Sequence, residues 1–338
     1  MKIGIFSGTP LEVYGGTEVW SLEVGNRLVR KGYDVYFIAP KNPITKDVER
    51  TKVYPEFKYY RVPYRVLKLG PLKAYMPEFY PRVDVKYLAN IGVFPIADDK
   101  TILGGHTMVK GVEFYNVKRI LTTLIAKSGK VKVAHALTRG QAIDFINMGF
   151  SKVYVIPNGV DCNKYKVGEV EKPRVVFIGR LTPQKGIHIL VSIAAKAKDI
   201  EFIIIGEGPL KDLVIRASKR LKNLIYMGFV DENTKVEILS KSSIFILPSL
   251  YEIMPLSILE AAVSGLVVIA SDLPYIRELE IYKILCRTTQ CFIENIYKYI
   301  FKVNLTLKQE IRRKALKYCW ESIITKIEHM ITEVYEKV

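Results

Sequence analysis

From Ser243 the chain runs through Ser243-Ile-Phe-Ile-Leu247, a proline-bounded loop, and a segment whose apolar residues Ile258, Leu259, Ala262 and Val263 fall on one side of a helix. The first run is too short and too uniformly apolar for an exposed edge, so it reads as a strand buried on both faces, with the helix covering it. Pro255 stands where a first helical position is expected. Glu252 then falls in the loop at the carboxyl end of a strand, and Glu260 about two turns into the helix at roughly 1.5 Å of rise per residue. Open α/β sheets bind ligands at the carboxyl ends of their strands, where helix amino termini attract anions. Two acids there suit a ligand carrying hydroxyls and phosphate: the carboxylates accept from hydroxyls, while the backbone amides of Ile253, Met254, Leu256 and Ser257 face the phosphate. On two acids alone, a solvated loop acid and an ordinary helix glutamate are the better explanation of the pattern.

The same strand, turn, helix order recurs along the chain. Lys2 to Phe6 is a strand, Gly15-Gly16-Thr17-Glu18 opens a helix running to about Lys31, and Val35 to Ile38 is the next strand. A glycine pair at a helix start permits close approach of an anion, although alone it is as often a loop device. Thr101-Ile-Leu-Gly-Gly-His106 is another strand, ending in a glycine turn and a histidine. Arg174 to Ile178 leads into Gly179-Arg180-Leu-Thr-Pro-Gln-Lys185-Gly186 and a helix. Arg180 and Lys185 bracket that turn, a guanidinium fork and a point charge both suited to phosphate oxygens. Asn223 to Val230 is a further strand and loop that includes Gly228 and Phe229. His135, His188 and His329 read as packing or surface residues.

The protein has 338 residues, 49% of them hydrophobic and 25% charged, enough for two globular domains of ordinary size. No stretch approaches the ~18 uninterrupted apolar residues needed to span a bilayer, and the amino terminus lacks the apolar core of a signal peptide. Cys162, Cys286, Cys291 and Cys319 form no Cys-x-x-Cys pair and read as buried or free thiols in a reducing, cytoplasmic compartment. The net charge is +17, with 25 basic against 14 acidic residues up to Tyr165 and 26 against 20 after it. A thermophile's composition explains the charge content but not its asymmetry. Nucleic acid, anionic lipid and an anionic substrate are the partners such charge suggests. From Lys52 to Lys86, tyrosines and phenylalanines alternate with Lys58, Arg61, Arg65, Lys68, Lys73 and Arg82, which suits packing, a stacking surface or a lipid headgroup layer. Prolines at 55, 63, 71, 77 and 81 break any long helix there.

Taken together, these motifs resemble the retaining glycosyltransferases of family 4, which have the GT-B fold. Pro248-Ser-Leu-Tyr-Glu252 through Leu259-Glu260-Ala261 to Gly265 is similar to their Glu-x7-Glu signature, and Gly179 to Gly186 to their Gly-Arg-Leu-x-x-x-Lys-Gly run. The glycine pair and Asn158-Gly-Val-Asp161 follow the family order, so the resemblance covers nearly the whole chain. It departs at Ile253, usually glycine, and at Val267, usually proline; neither removes a carboxylate.

The resemblance implies an α/β architecture of two Rossmann-like doubly wound domains facing a central cleft. Residues 1–162 plus about 315–338 would form the amino-terminal, acceptor-side domain, and 163–314 the carboxyl-terminal, nucleotide-sugar domain. It further implies transfer of a sugar from a nucleotide diphosphate donor with retention at the anomeric carbon. Arg180 and Lys185 would neutralise the leaving diphosphate, Glu252 would orient sugar hydroxyls, Glu260 the ribose, and His106 would line the sugar site. Gly15 and Gly16 would approach the diphosphate, and the segment of Gly228 and Phe229 would cup the base through backbone atoms. No Asp-x-Asp motif is present, so neither metal nor cofactor is expected. The expected partners are a nucleotide sugar, a sugar or lipid-linked acceptor and an anionic membrane surface engaged peripherally, with no nucleic acid. An inactive GT-B nucleotide-sugar-binding module and a basic nucleic-acid-binding protein are the alternatives.

Overall fold

Most strands of the two main sheets are short runs of β-branched and apolar residues, and the chain orders them as two parallel sheets. The computed structural model describes residues 1–13, 15–41, 54–69, 72–89, 96–106, 115–170 and 172–336. Lys52, Pro71, Thr107 and Glu171 lie outside the described residues, as do the side chains of Lys68, Lys73 and Tyr75. The chain divides into two compact units, one of Met1–Asn158 with Glu321–Val338, the other of Gly159–Trp320.

The first unit begins β1 (Lys2–Phe6), α1 (Gly16–Arg30), β2 (Asp34–Pro40) and β3 (Lys58–Val62). A hairpin of β4 (Tyr64–Leu69) and β5 (Leu72–Pro77) follows, then β6 (Val85–Leu88), β7 (Thr101–Gly104), α2 (Tyr115–Lys127), β8 (Val133–Ala136), α3 (Arg139–Met148) and β9 (Lys152–Val155). Its seven-stranded sheet has the order β3-β2-β1-β6-β7-β8-β9, parallel throughout. Phe6, Ile38, Leu88, Leu103, Phe145 and Met148 lie in one buried cluster, each large side chain worth about 1.5–3 kcal/mol on burial. In the aromatic and basic segment, Phe57 is buried, the Tyr59 hydroxyl donates to Glu12 and the Tyr64 hydroxyl to the Ser7 carbonyl. Lys58 pairs with Asp34 and Arg61 with Glu12. Packing therefore accounts for these aromatics, while Tyr54 and Phe79 stay exposed.

The second unit comprises β10 (Arg174–Ile178), α4 (Ile187–Lys196), β11 (Glu201–Ile205), α5 (Lys211–Arg220), β12 (Leu224–Gly228) and α6 (Glu232–Ser240). It continues through β13 (Ile244–Leu247), α7 (Leu256–Val263), β14 (Val267–Ser271), α8 (Pro274–Arg277), β15 (Lys283–Cys286), α9 (Thr289–Tyr299) and α10 (Leu305–Ala315). α11 (Trp320–Glu336) carries the chain back to the first unit. The sheet order is β12-β11-β10-β13-β14-β15. Connections run one way from β10 through β12 and the other way from β13 through β15, so the order reverses between β10 and β13. In open parallel sheets that reversal opens the crevice where ligands bind. Pro255 is the residue preceding α7, in extended conformation, rather than its first helical residue.

The cysteines correct the expectation of free thiols: Cys162 bonds Cys319, and Cys286 bonds Cys291. Sequence spacing hid the first pair because its members lie 157 residues apart. Val160 and Cys319 form a parallel bridge, Trp320 N donates to the Val160 carbonyl, and Arg312 donates to the carbonyls of Cys162 and Tyr165. Where the chain enters and leaves the second unit, the two segments thus run side by side, with the Cα atoms of the cysteines 5.4 Å apart. The thiol argument for a reducing compartment lapses accordingly. Closing so long a loop removes denatured-state entropy worth about 5 kcal/mol in the chain-entropy model. Reduction, or Cys162→Ser with Cys319→Ser, should lower the unfolding free energy of the second unit by up to that amount. Denaturant melts with and without reductant, scored beside a thiol count, check this; identical curves for the oxidised and reduced protein would refute it.

Candidate functional site

The carboxyl end of β10 meets the carboxyl end of β13 through a backbone contact. A 3₁₀ turn, Pro183–Lys185, ends at Gly186 with φ +67°, and a Cβ there would lie 1.9 Å from the Pro248 carbonyl oxygen. Only glycine can occupy that place: the left-handed conformation and the close approach both exclude a side chain. Leu250 N donates to the Gln184 carbonyl at 2.8 Å, and the Gln184 amide donates to the Tyr251 carbonyl at 3.1 Å. Gly206, at φ +135°, fits the end of β11 against Gly179, where a Cβ would be 2.0 Å from the carbonyl oxygen. The loops at the sheet's reversal are therefore fixed to one another by backbone.

That scaffold brings Lys185 to Glu252. The ammonium lies 2.5 Å from Oε1, which also accepts from Ser249 Oγ at 2.9 Å. The Glu252 side chain is 8% exposed and that of Lys185 17%, so the pair is largely shielded. Arg180, on the same turn, is exposed. Ile253 and Met254 have buried side chains, so what they offer a ligand is backbone. At the start of α7 the amides of Leu256 and Ser257 belong to the turn that has no intrahelical acceptors. Gly228 ends β12 at φ +65°, and Phe229 beyond it is exposed.

Glu260 lies just over one turn into α7, closer to its start than the sequence count of two turns. It is paired independently of Lys185 and Glu252: Lys235 of α6, itself buried, donates to its Oε1 at 2.9 Å. Lys235 also meets Glu232 at 2.5 Å, and Lys164 meets the other Glu232 oxygen at 2.5 Å. Burial works to raise the Glu232 carboxyl, but the two ammoniums outweigh it and hold it below its usual range. In sequence, Lys235 reads as solvated surface, a lysine three residues after a glutamate on a helix. Its signal was the helical spacing that puts it on the buried side with Ile238 and Leu239.

The first unit carries the other residues. Gly15 and Gly16 begin α1; a Cβ on Gly15 would strike the Glu18 carboxylate, whereas one on Gly16 would meet open space. Glu18 is buried and accepts from the Thr9 hydroxyl. Two residues further along α1, Trp20 stacks on Tyr87 at 4.8 Å between ring centroids and packs against His106 at 4.5 Å. The Tyr87 hydroxyl lies 3.0 Å from His106 Nε2 and 2.6 Å from His135 Nδ1, and His135 Nε2 lies 2.7 Å from the Ile156 carbonyl oxygen. Of the packing and surface roles open to it in sequence, His135 takes the first, as a core residue, and Tyr87 joins it to His106. Burial drives His106 well below the ordinary histidine value, with His135 adding to the effect, and brings His135 down to about 4. Among the described residues no group of three or more His, Cys, Asp or Glu side chains is arranged to hold a metal ion.

The depressed His135 has a signed consequence. Its folded value lies below the unfolded 6.5, so the unfolded chain takes the proton first and stability falls as pH drops from 6.5 toward 4. Between pH 7 and 5 this group alone should cost the parent about 2 kcal/mol. His135→Asn should be less stable at pH 7 yet lose less over that window. Parallel pH profiles of denaturation free energy for parent and variant would rule the effect out.

Most of the chain's length is similar to known proteins. The Glycosyltransferase Family 4 model matches residues 14–164, and the Glycosyl transferases group 1 model matches 172–300. A UDP-Gal:α-D-GlcNAc-diphosphoundecaprenol α-1,3-galactosyltransferase of Escherichia coli is 33% identical over 201 residues, 50% of this chain and 51% of that protein. A phosphatidyl-myo-inositol mannosyltransferase of Mycolicibacterium smegmatis is 25% identical over 309 residues, 82% of this chain and 78% of that one. The chain thus spans about half of the galactosyltransferase. Among solved structures, sucrose-phosphate synthase from Thermosynechococcus elongatus superposes with TM-score 0.75 at 15% identity, covering 100% of both chains. Anabaena HepE in complex with UDP-glucose does so with TM-score 0.71 at 15% identity, also over 100% of both. These likenesses show the fold, two α/β domains of the GT-B type.

Proposed function

Because the chain belongs to glycosyltransferase family 4, group 1, we propose that it transfers a glycosyl group from a nucleotide diphosphate sugar to a sugar or lipid-linked acceptor, with retention at the anomeric carbon. The observation that carries this reading is the Lys185–Glu252 pair at the sheet reversal, with the exposed Arg180 on the same turn. As the bond from the anomeric carbon to the β-phosphate oxygen breaks, charge gathers on the leaving diphosphate, and Arg180 and Lys185 stabilise it there. The acceptor hydroxyl oxygen bonds the same carbon from the departing side and its proton passes to the leaving phosphate. Glu252 accepts from sugar hydroxyls and Glu260 from the ribose. The amides of Ile253, Met254, Leu256 and Ser257 and the backbone at Gly228 and Phe229 complete donor binding, and Gly15, Gly16 and His106 serve from the first unit.

A lipid-linked acceptor is favoured by the names of the two relatives, each acting on a lipid-borne group. One surface of the first unit suits it. α2 and α3 follow successive strands of a parallel sheet and so cover the same face. They expose Ile120, Leu124, Ile143 and Ile146, with Arg119, Lys127, Lys130 and Arg139 exposed around them. Apolar side chains within a basic surround fit an anionic headgroup layer. No helix among the described residues is long and apolar enough to cross a membrane, so any contact of theirs with lipid is peripheral.

A panel of UDP-, GDP- and ADP-sugars, with released nucleotide diphosphate counted, tests the activity. One donor should be consumed by the parent, Glu252→Ala should fall to background, and Arg180→Ala should lose about 10²–10³ in kcat. NMR of the product should show the donor's anomeric configuration; the opposite anomer refutes retention. Binding of a donor without turnover by any acceptor tried would favour the inactive module instead. Ile120→Asp with Leu124→Asp should reduce sedimentation with phosphatidylglycerol vesicles and leave donor hydrolysis unchanged. Equal sedimentation of parent and variant would remove the membrane surface.

A further inference from the structure

The buried cluster behind His106 holds a chain of hydrogen bonds whose direction is fixed from one end. A carbonyl oxygen can only accept, so His135 Nε2 carries the proton it gives to Ile156. With His135 buried and neutral, its Nδ1 is then unprotonated and must accept from the Tyr87 hydroxyl at 2.6 Å. That hydroxyl has spent its one proton, so its oxygen receives the His106 Nε2–H at 3.0 Å. A neutral imidazole protonated on Nε2 bears a lone pair on Nδ1. Among the described residues Nδ1 of His106 has no partner.

From this we infer that Tyr87 and His135 are positioning residues that hold His106 as a hydrogen-bond acceptor toward the ligand, so that the sugar presents a hydroxyl to it. The last clause rests on the proposed glycosyltransferase activity; the tautomer does not. An isolated imidazole exchanges between two tautomers and, near neutral pH, a charged form, and would meet either a donor or an acceptor. Anchored to Ile156 through two intermediates, His106 meets donors only. A carboxylate or carbonyl oxygen placed against Nδ1 would set lone pair against lone pair. The packing leaves the relay little freedom: Trp20 lies against both Tyr87 and His106, and a Cβ on Gly104 would fall 2.6 Å from the Tyr87 hydroxyl.

A packing role for Tyr87 needs its ring, whereas the relay needs its hydroxyl. Tyr87→Phe separates them, since phenylalanine keeps the stack on Trp20. The chain has four histidines, so ¹⁵N-histidine labelling gives few signals, assigned by substituting each in turn. In the unliganded parent at pH 7.5, long-range ¹⁵N–¹H spectra should show His106 and His135 neutral, each protonated on Nε2. In Tyr87→Phe the His106 signal should move toward a mixture of tautomers. With whichever nucleotide sugar the panel identifies, kcat/KM should fall about tenfold, the loss of one ordinary hydrogen bond. Phe145→Leu, a core substitution in the same unit, should lower stability without altering the His106 tautomer. Should Tyr87→Phe fold poorly, His135→Gln replaces it and should likewise release the His106 tautomer. His106 protonated on Nδ1 or charged at pH 7.5 overturns the inference, as does an unchanged tautomer in a folded relay variant. If the panel shows no turnover while the parent spectrum is as expected, the glycosyltransferase reading fails and the relay stands.

Discussion

The contact between Gly186 and the Pro248 carbonyl sets the geometry on which the second unit's chemistry depends. The two loops that follow β10 and β13 each carry one member of an ion pair, and the pair can form only if their backbones approach closely. Glycine at φ +67° lets the backbones touch, and the bonds from Gln184 to Leu250 and Tyr251 hold them. Lys185 and Glu252, 67 residues apart in sequence, then meet at 2.5 Å. A methyl group at residue 186 would separate them before any charge was altered.

The two units use burial in opposite ways. In the second, charged groups are shielded only because each has a partner: Lys185 with Glu252, Lys235 with Glu260 and Glu232. An unpaired charge at such depth would be costly, so these pairs position groups that an anionic, hydroxyl-rich ligand can then engage. At the two histidines of the first unit, burial disfavours the charged form. His106 and His135 are kept neutral by desolvation, and their hydrogen bonds are directed by a carbonyl instead of by an ion. One unit offers electrostatics, the other a fixed pattern of donors and acceptors.

Continuity of the second unit is secured at its ends. Nothing local relates Cys162 to Cys319, yet the entering and leaving segments lie in parallel contact, joined by a disulfide and pinned by Arg312. The unit is closed as a covalent ring of 157 residues' separation. For a domain whose strands and helices are individually short, that closure limits how far its ends can fray.

By itself the sequence determined the alternation of strands and helices, because burial on both faces of a parallel strand demands an unbroken apolar run and covering helices demand a period near 3.6. It also located Arg180, Lys185, Glu252, Glu260 and His106 at strand ends or on a following helix, since turn glycines and prolines mark where strands stop. What it could not supply were relations between distant residues. Lys235 looked solvated because its partner Glu260 is 25 residues away; nothing along the chain linked Tyr87 to His106 or His135; the cysteines looked free. The relations among these residues were decided by tertiary structure alone, because hydrogen bonds, ion pairs and disulfides act over a few ångströms of space and leave no periodic trace along the chain.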